Sequence, residues 1–507
     1  MTRLSSGRSF PAPLPRLSFN FKERGQRVLG RIADGVARSI ESAGAGLSET
    51  FFEPSVRLGV TGLARSGKTV FITSLVANLL EPGRMPQLRA AASGRIRSSW
   101  LQPQPDDTLP RFDYEDHLAA MTSVTPRWPE PTHALSELRL SLRLQPESFL
   151  AGLTGQRTLH IDIVDYPGEW LLDLALLQKD YRKWSAQVLA RAQNRPGGPE
   201  YLAAAANVDP AAAFDELTAR SLAAAWTEHL RLSREAGYSD CSPGRFTMPG
   251  DLKGSPALTF APLPAKAGDL AVPSSDAAAP GRGSLWREME RRYDAYCRRV
   301  VKPFFTEHLS RIDRQVVLAD VLKAVNAGPR AFEDMRQVMG EILACFRPGK
   351  NGFLRELVLG KRVEKLLFAA TKADHLHHSQ HSRLAALTAA LVDDARRRAD
   401  HKGAQTTAMA IAAVRATIEE TRSHEGADWG MVRGTDKDGK LKSFFPGELP
   451  EDITRLLSAA REGAELWPGG DFGRVEFRPA TQGLRPGEGL PHIRMDRAAE
   501  FLLGDLL

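Results

Sequence analysis

From Val56 onward, two hydrophobic rhythms alternate along the chain. Short apolar or β-branched runs (VRLGVTG, TLHIDIVDY, RQVVLADVL, KLLFAATKAD and TAMAIAAV) are separated by longer stretches whose apolar residues recur every three or four positions. Strands that are apolar at nearly every position are covered on both faces, whereas LSELRLSLRL alternates as an edge strand does. The pattern predicts an α/β fold on a mostly parallel sheet with one antiparallel edge strand. Between Tyr166 and about Asp313 the strand rhythm stops. Alanine-rich helical text fills that interval, PLPAKAGDLAVPSSDAAAPGRGS reads as a linker, and a further helix is expected from Leu285 to Leu309. This is the signature of a large helical insertion.

The two ends differ from this middle. Near the start, Pro11, Pro13 and Pro15 precede FKERGQRVLGRIADGVARSIESA, whose Val28, Leu29, Ile32, Val36 and Ile40 form an apolar stripe at helical spacing. That helix reads as packed on the main domain, with a basic helix lying on a membrane surface as its rival. The C-terminal part is rich in Gly and Pro, with RVEFRP as a short strand candidate and RMDRAAEFLLGDLL as a final helix. The expected divisions are a basic segment at 1–50, the first part of the sheet domain at 51–170, the insertion at 171–313, the second part at 314–420 and an extension at 421–507.

Composition narrows the class without deciding it. With 507 residues, 42% hydrophobic and 25% charged, the chain has the make-up of a soluble globular protein, which excludes a wholly disordered, collagen-like or disulfide-scaffold chain. Cys241, Cys297 and Cys345 are far apart and form no CxxC pair, which argues for a reducing compartment and against a structural zinc site. No run approaches 18 apolar residues and no signal-peptide core is present, so the expected location is the cytoplasm, with a peripheral contact on the inner membrane as the alternative. The excess of 68 basic over 61 acidic residues suits an anionic membrane or nucleic acid, but is small for this length. Nucleic acid is not expected, because the basic tract Arg396-Arg397-Arg398 lacks interleaved aromatics.

Chemistry enters at the strand ends. Gly62-Leu63-Ala64-Arg65-Ser66-Gly67-Lys68-Thr69 fits G-x-x-x-x-G-K-[ST], with Val70 continuing into a helix. The glycines let backbone N–H groups wrap a phosphate, Lys68 supplies charge and the Thr69 hydroxyl suits a magnesium ion. HIDIVD ends in Asp165-Tyr166-Pro167-Gly168, a DxxG turn whose aspartate can hold magnesium through water and whose Gly168 N–H can sense a γ-phosphate. KLLFAA ends in Thr371-Lys372-Ala373-Asp374, followed by His375; a carboxylate there accepts from the N1–H and 2-amino group of guanine, a donor pair adenine lacks. Trp128, Trp170, Trp184, Trp226 and Trp286 read as core anchors. His375, His377, His378 and His381 tempt a metal reading, but no neighbouring carboxylate or cysteine completes a set, so a structural role is expected.

The order P-loop, DxxG, TKxD resembles the Ras-like GTPases. Longer strings (VTGLARSGKTVFITSLV, WPEPT, IVDYPGEWLLDL, PGRF with MPGDL, FAATKADH and LPHIRMDRAAEFLLGDLL) resemble the YcjX-like family of bacterial P-loop GTPases, associated with the phage-shock stress regulon, from about Leu58 to the C-terminus. The resemblance implies a protein that binds GTP and GDP with Mg2+, hydrolyses slowly and serves as a stress-related switch. By analogy with such enzymes, Thr132 is the candidate switch threonine and third magnesium ligand, with Thr122 and Thr125 as rivals, and the base-side loop falls at Ala412–Thr417, where Ala413 and Val414 offer backbone contacts although the text departs from the usual Ser-Ala-Lys/Leu form. Glu169 stands where a water-orienting glutamine is usual. Arg65 is at a position where a charge can replace a monovalent cation, a solvated loop arginine being the plainer reading. The partners implied are a guanine nucleotide and a protein, with an anionic membrane contact; oligomeric state is open, a nucleotide-dependent dimer included. A binding module with negligible turnover and an ATPase are the rival functions.

Overall fold

The apolar runs become the strands of one sheet. The computed structural model describes residues 53–63, 65–130, 134–146, 156–266, 280–345, 363–393, 396–397, 404–424, 426–467, 472–473, 475–481 and 483–507. The N-terminal helix expected within 1–50, Thr132, Ala64 and Arg398 lie outside the described residues.

The main sheet contains β1 (Ser55–Gly62), β2 (Ile96–Gln102), β3 (Ser136–Leu144), β4 (Arg157–Asp165), β5 (Arg314–Ala319), β6 (Lys365–Ala370) and β7 (Gln405–Ala410). Their order is β2-β3-β4-β1-β5-β6-β7, with β4, β1, β5, β6 and β7 parallel and β3 antiparallel to both neighbours. The α/β class and single reversed strand match the sequence pattern, with one difference. β3 is penultimate, and the edge is β2, whose IRSSWLQ text is half polar because one long side and one face meet solvent.

Alternating side chains supply two cores. Val316 and Leu318 of β5, with Leu367 and Ala369 of β6, face one cluster; Val317, Ala319, Leu366, Phe368 and Ala370 face the other. The first face is covered by α1 (Lys68–Leu80), α2 (Tyr114–Thr122) and, at the far end of the sequence, α10 (Met495–Leu503), whose Met495, Ala498, Ala499, Leu502 and Leu503 are all buried there. The second face takes the helices between β4 and β5: α3 (Tyr181–Ala192), α4 (Gly198–Ala206), α5 (Glu216–Glu235) and α6 (Leu285–Tyr296). It also takes α7 (Pro329–Cys345), α8 (His381–Leu391) and α9 (Ile453–Arg461). Met335, Val338, Met339 and Ile342 of α7 recur at helical spacing and are buried.

The helix expected over Leu285–Leu309 is interrupted. α6 ends at Tyr296 and a π-helical turn, Cys297–Val301, links it to Lys302–Glu307, where Pro303 removes a backbone donor. Inside the helical lobe Trp184, Trp226 and Trp286 are fully buried, with Trp184 stacked on Tyr293 at 5.0 Å. Trp128 departs from its expected core role. It is 38% exposed and donates from Nε1 to the Phe477 carbonyl at 2.7 Å.

After β7 the chain forms a second, antiparallel sheet of β8 (Thr417–His424), β9 (Ala427–Thr435) and β10 (Leu441–Phe444) before α9 and α10 return to the main sheet. Among its described residues RVEFRP adds one bridge, Phe477 to Asp436, where a strand is expected.

Candidate functional site

Strand register brings three sequence motifs to one edge. Val60 pairs with Asp165, Gly62 with Leu318, and Ala319 with Ala370, so the P-loop, DxxG and TKxD turns leave neighbouring carboxyl ends of the sheet. In parallel α/β sheets this edge is the usual ligand crevice.

The loop after β1 is shaped by its glycines. A Cβ on Gly62 would stand 2.2 Å from Ser66 Oγ and 2.7 Å from the Leu318 carbonyl, so no other residue fits. Leu63 spends both backbone groups internally, its N–H on Leu318 (3.2 Å) and its carbonyl on Ser66 N–H (3.0 Å). Arg65 and Gly67 both adopt left-handed backbone, φ 60 and φ 85, on either side of Ser66, an alternation of the kind found in anion-binding nests. Apart from its chain neighbours and the start of its own helix, no described residue comes within 4 Å of a Cβ built on Gly67. α1 begins at Lys68, so its positive end faces the same hollow. Lys68 is only 9% exposed, yet forms no ion pair with any described residue. Thr69 is buried, Val70 half-buried, and Arg65 exposed.

The DxxG turn lies directly on this loop. Asp165 is buried at the tip of β4, and a Cβ on Gly168 would fall 1.4 Å from the Gly62 carbonyl. Glu169 does not point its charge into the phosphate hollow as its position suggests. Its buried carboxylate pairs with Arg234 of α5 at 2.7 Å. The following turn is clasped by the insertion. Asp173 accepts from Gly244 N–H (2.6 Å) and the Tyr296 hydroxyl (2.5 Å), while the Arg245 guanidinium sits 3.2 Å from the centre of the Trp170 ring. Burial pushes the Asp173 carboxyl up to about 6, against the opposing pull of those two hydrogen bonds and Arg245. A cleft beside this clasp is lined by Leu63, Gly168, Glu169, Arg234 and Lys323.

On the other side of the crevice stands the TKxD loop. Thr371 is structural, its N–H donating to the Ala319 carbonyl at 3.0 Å. Lys372, with φ 62, reaches Asp320 at 2.5 Å. Asp320 directly follows β5, one place beyond where Asp165 closes β4; sequence reading passed over it, although an aspartate after an apolar strand is a readable signal. Asp374 is buried, and its Oδ2 accepts from Ala416 N–H at 2.8 Å while its carbonyl accepts from the Thr417 hydroxyl. Oδ1 accepts from no described residue. His375 meets Phe477 edge to face at 5.4 Å, in a cleft also walled by Phe444 and Phe472 of the extension.

Ala413 and Val414 are near this loop but do not make its closest contacts. The Ala413 carbonyl accepts from Ser74 Oγ of α1 at 2.5 Å, and both side chains are buried in the core beneath α1. Ala416 and Thr417, three residues further on, meet Asp374 instead.

The comparisons with known proteins decide the family. The YcjX-like family, DUF463, matches residues 56–507. The chain belongs to the YcjX-like family. A curated relative from Escherichia coli named Ras-like GTPase YcjX is 39% identical over 460 residues, covering 89% of this chain and 96% of the relative. One of the same name from Shewanella oneidensis is 35% identical over 473 residues, covering 89% and 94%. The fold fits, since the Ras-like arrangement of P-loop, DxxG and TKxD strands forms the sheet just described. Within that YcjX-like frame, the hollow suits a nucleotide: the nest, the helix end and Lys68 offer only positive potential, and the buried Thr69 and Asp165 supply oxygen donors of the kind magnesium takes. Glu169 to Arg234 and Asp173 to Gly244 are the parts that motif reading missed, while Ala416 and Thr417 lie in the expected base-side loop but beyond the two residues named in it.

Proposed function

We propose that this protein is a slow GTPase that binds GTP and GDP with Mg2+ and works as a stress-related switch. The observation that carries this is Lys68, nine-tenths buried beside the nest-like loop and lacking an ionic partner among the described residues. Leaving a buried ammonium uncompensated is costly, and a phosphate chain is the anion that this loop geometry fits. Asp374 chooses the base: Ala416 N–H holds one carboxylate oxygen and leaves Oδ1 toward a donor.

Thr69 and Asp165, with Thr132 from outside the described residues, are the proposed magnesium ligands; when bound, the ion neutralises charge on the phosphates. Lys68 and the nest N–H groups hold the phosphates in line, and the Gly168 N–H reports the terminal one. Hydrolysis is slow because Glu169, the residue nearest the usual water-orienting position, is engaged by Arg234. A second reading is a nucleotide-dependent binding module with negligible turnover, favoured by the buried clasp between the DxxG turn and the insertion. The cytoplasm is the proposed location. The insertion is proposed to meet a protein partner, and the N-terminal segment an anionic membrane face.

Nucleotide released from the purified protein, followed by single-turnover assays with GTP and ATP, tests the reading. GDP or GTP in the extract and slow release of phosphate from GTP alone are expected. Equal competition by ATP would remove the guanine assignment, and bound GTP that never turns over would leave the binding module.

A further inference from the structure

The histidine cluster beyond Asp374 looks incomplete in the sequence because no nearby residue supplies an acidic ligand. The fold supplies one from 41 positions away. His377, His378 and Glu419 bring one possible ligand atom each to within 4.8 Å of one another. Glu419 comes from β8, which runs beside the loop after TKxD.

We infer that His377, His378 and Glu419 form a binding site for a divalent transition-metal ion, with Zn2+ the best match, which ties the base-reading loop to the C-terminal sheet. Two imidazoles and one carboxylate are a ligand set for zinc, with the fourth position left to water. Four-coordinate zinc places its ligand atoms about 3.3 Å apart, inside the 4.8 Å limit within which these three lie, and His378 is on the exposed side of the cluster.

Each ligand is already oriented. The His377 ring fills the space where a side chain on β9 would stand: a Cβ on Gly430 would lie 2.8 Å from its Cγ. Its Nδ1 is 2.9 Å from Ser379 Oγ, which fixes the ring and leaves Nε2 to face an ion. His378 Nδ1–H donates to Glu419 Oε2 at 2.6 Å. The other oxygen of Glu419 accepts from Arg415 at 3.2 Å. An ion bound at Nδ1 takes the place of this hydrogen bond, and the ring keeps its single N–H by carrying it on Nε2.

The site joins the same two segments that position Asp374, because Ala416 and Thr417 lead directly into Glu419. An ion there stiffens the base-reading clamp. That coupling rests on the guanine reading above, whereas metal binding itself does not.

The test titrates the full-length protein, stripped with chelator, first with Co2+ and then with Zn2+. One equivalent with a visible ligand-field spectrum, bleached by Zn2+, is expected. His378→Ala and Glu419→Gln should each weaken Co2+ at least about tenfold, and Zn2+ should raise the melting temperature of the wild type but not of these variants. His117→Gln, remote from the site, should titrate as the wild type does. His377→Ala provides a third measurement should one variant melt early without metal. No saturable Co2+ uptake, or variants that bind as the wild type does, would overturn the site. Intact metal binding with unchanged GDP affinity would overturn the coupling alone.

Discussion

The two sides of the crevice are held by different parts of the chain and in different ways. On the phosphate side, the turn after DxxG is buried and clasped by the insertion through an ion pair, a buried carboxyl and an arginine on a tryptophan ring. On the base side, the loop after TKxD is held by the start of β8 and the residue before it, through two buried bonds that Ala416 and Thr417 make to Asp374 and, further out, a solvent-facing His378–Glu419 pair. Buried polar contacts are costly to break singly and tend to switch together, whereas exposed ones give little each and adjust separately. The insertion thus packs on the turn that follows Gly168, and β8 on the loop that carries Asp374.

Breaking the Glu169–Arg234 pair should have the largest effect. Arg234→Ala leaves Glu169 buried without its partner and is expected to cost about 3 to 5 kcal/mol of stability, measured by denaturant unfolding. Adding Glu169→Gln should restore much of it. If the double variant is no better than the single one, the pair is not what holds the turn. Next comes Asp374→Asn on the base side, expected to weaken GDP by about 3 kcal/mol, roughly a hundredfold, without changing stability much. Equal losses for GDP and ADP would break the assignment of Asp374 to base choice.

Asp173 sharpens the contrast through pH. Its folded carboxyl lies near 6, above the ordinary carboxylate range, so the folded state holds its proton more tightly than the unfolded state. Stability from this group is fully present below the ordinary carboxylate range and is lost as pH rises through about 6. Between pH 4.5 and 7 the loss is about 2 kcal/mol. Asp173→Asn should remove that part of the slope in unfolding midpoints taken across this window. A slope unchanged by the substitution would mean that Asp173 is not the titrating group.

How much of this is readable in sequence depends on distance along the chain. The P-loop, DxxG and TKxD are legible because each is a local string at the end of an apolar strand, and local spacing carries their chemistry. β2 is not, because IRSSWLQ lies at a half-exposed edge and shows no full alternation. The clasp joins Glu169 to Arg234 and Asp173 to Tyr296, and the base clamp joins Asp374 to Ala416; no periodicity in the chain encodes which helix or strand will meet which loop. The same holds for Glu419, whose approach to His377 and His378 appears only once β8 is placed.

The smallest expected effect concerns Arg65, a loop position that separates backbone shape from side-chain chemistry. Its φ of 60 is left-handed, which costs an ordinary residue about 1 kcal/mol or more, while its side chain is exposed and forms no ion pair with a described residue. Arg65→Gly relieves that strain but adds freedom to the unfolded chain, so a net gain of about 0.5 kcal/mol is expected. GTP turnover should stay within about twofold, with or without potassium, because an exposed guanidinium contributes little in water. Arg65→Ala keeps the strain and should lose nothing further in turnover. A tenfold fall for both variants in potassium-free buffer, restored by potassium, would instead mean that the guanidinium folds over the phosphates, and the phosphate side would then carry a charge from the loop as well as from Lys68.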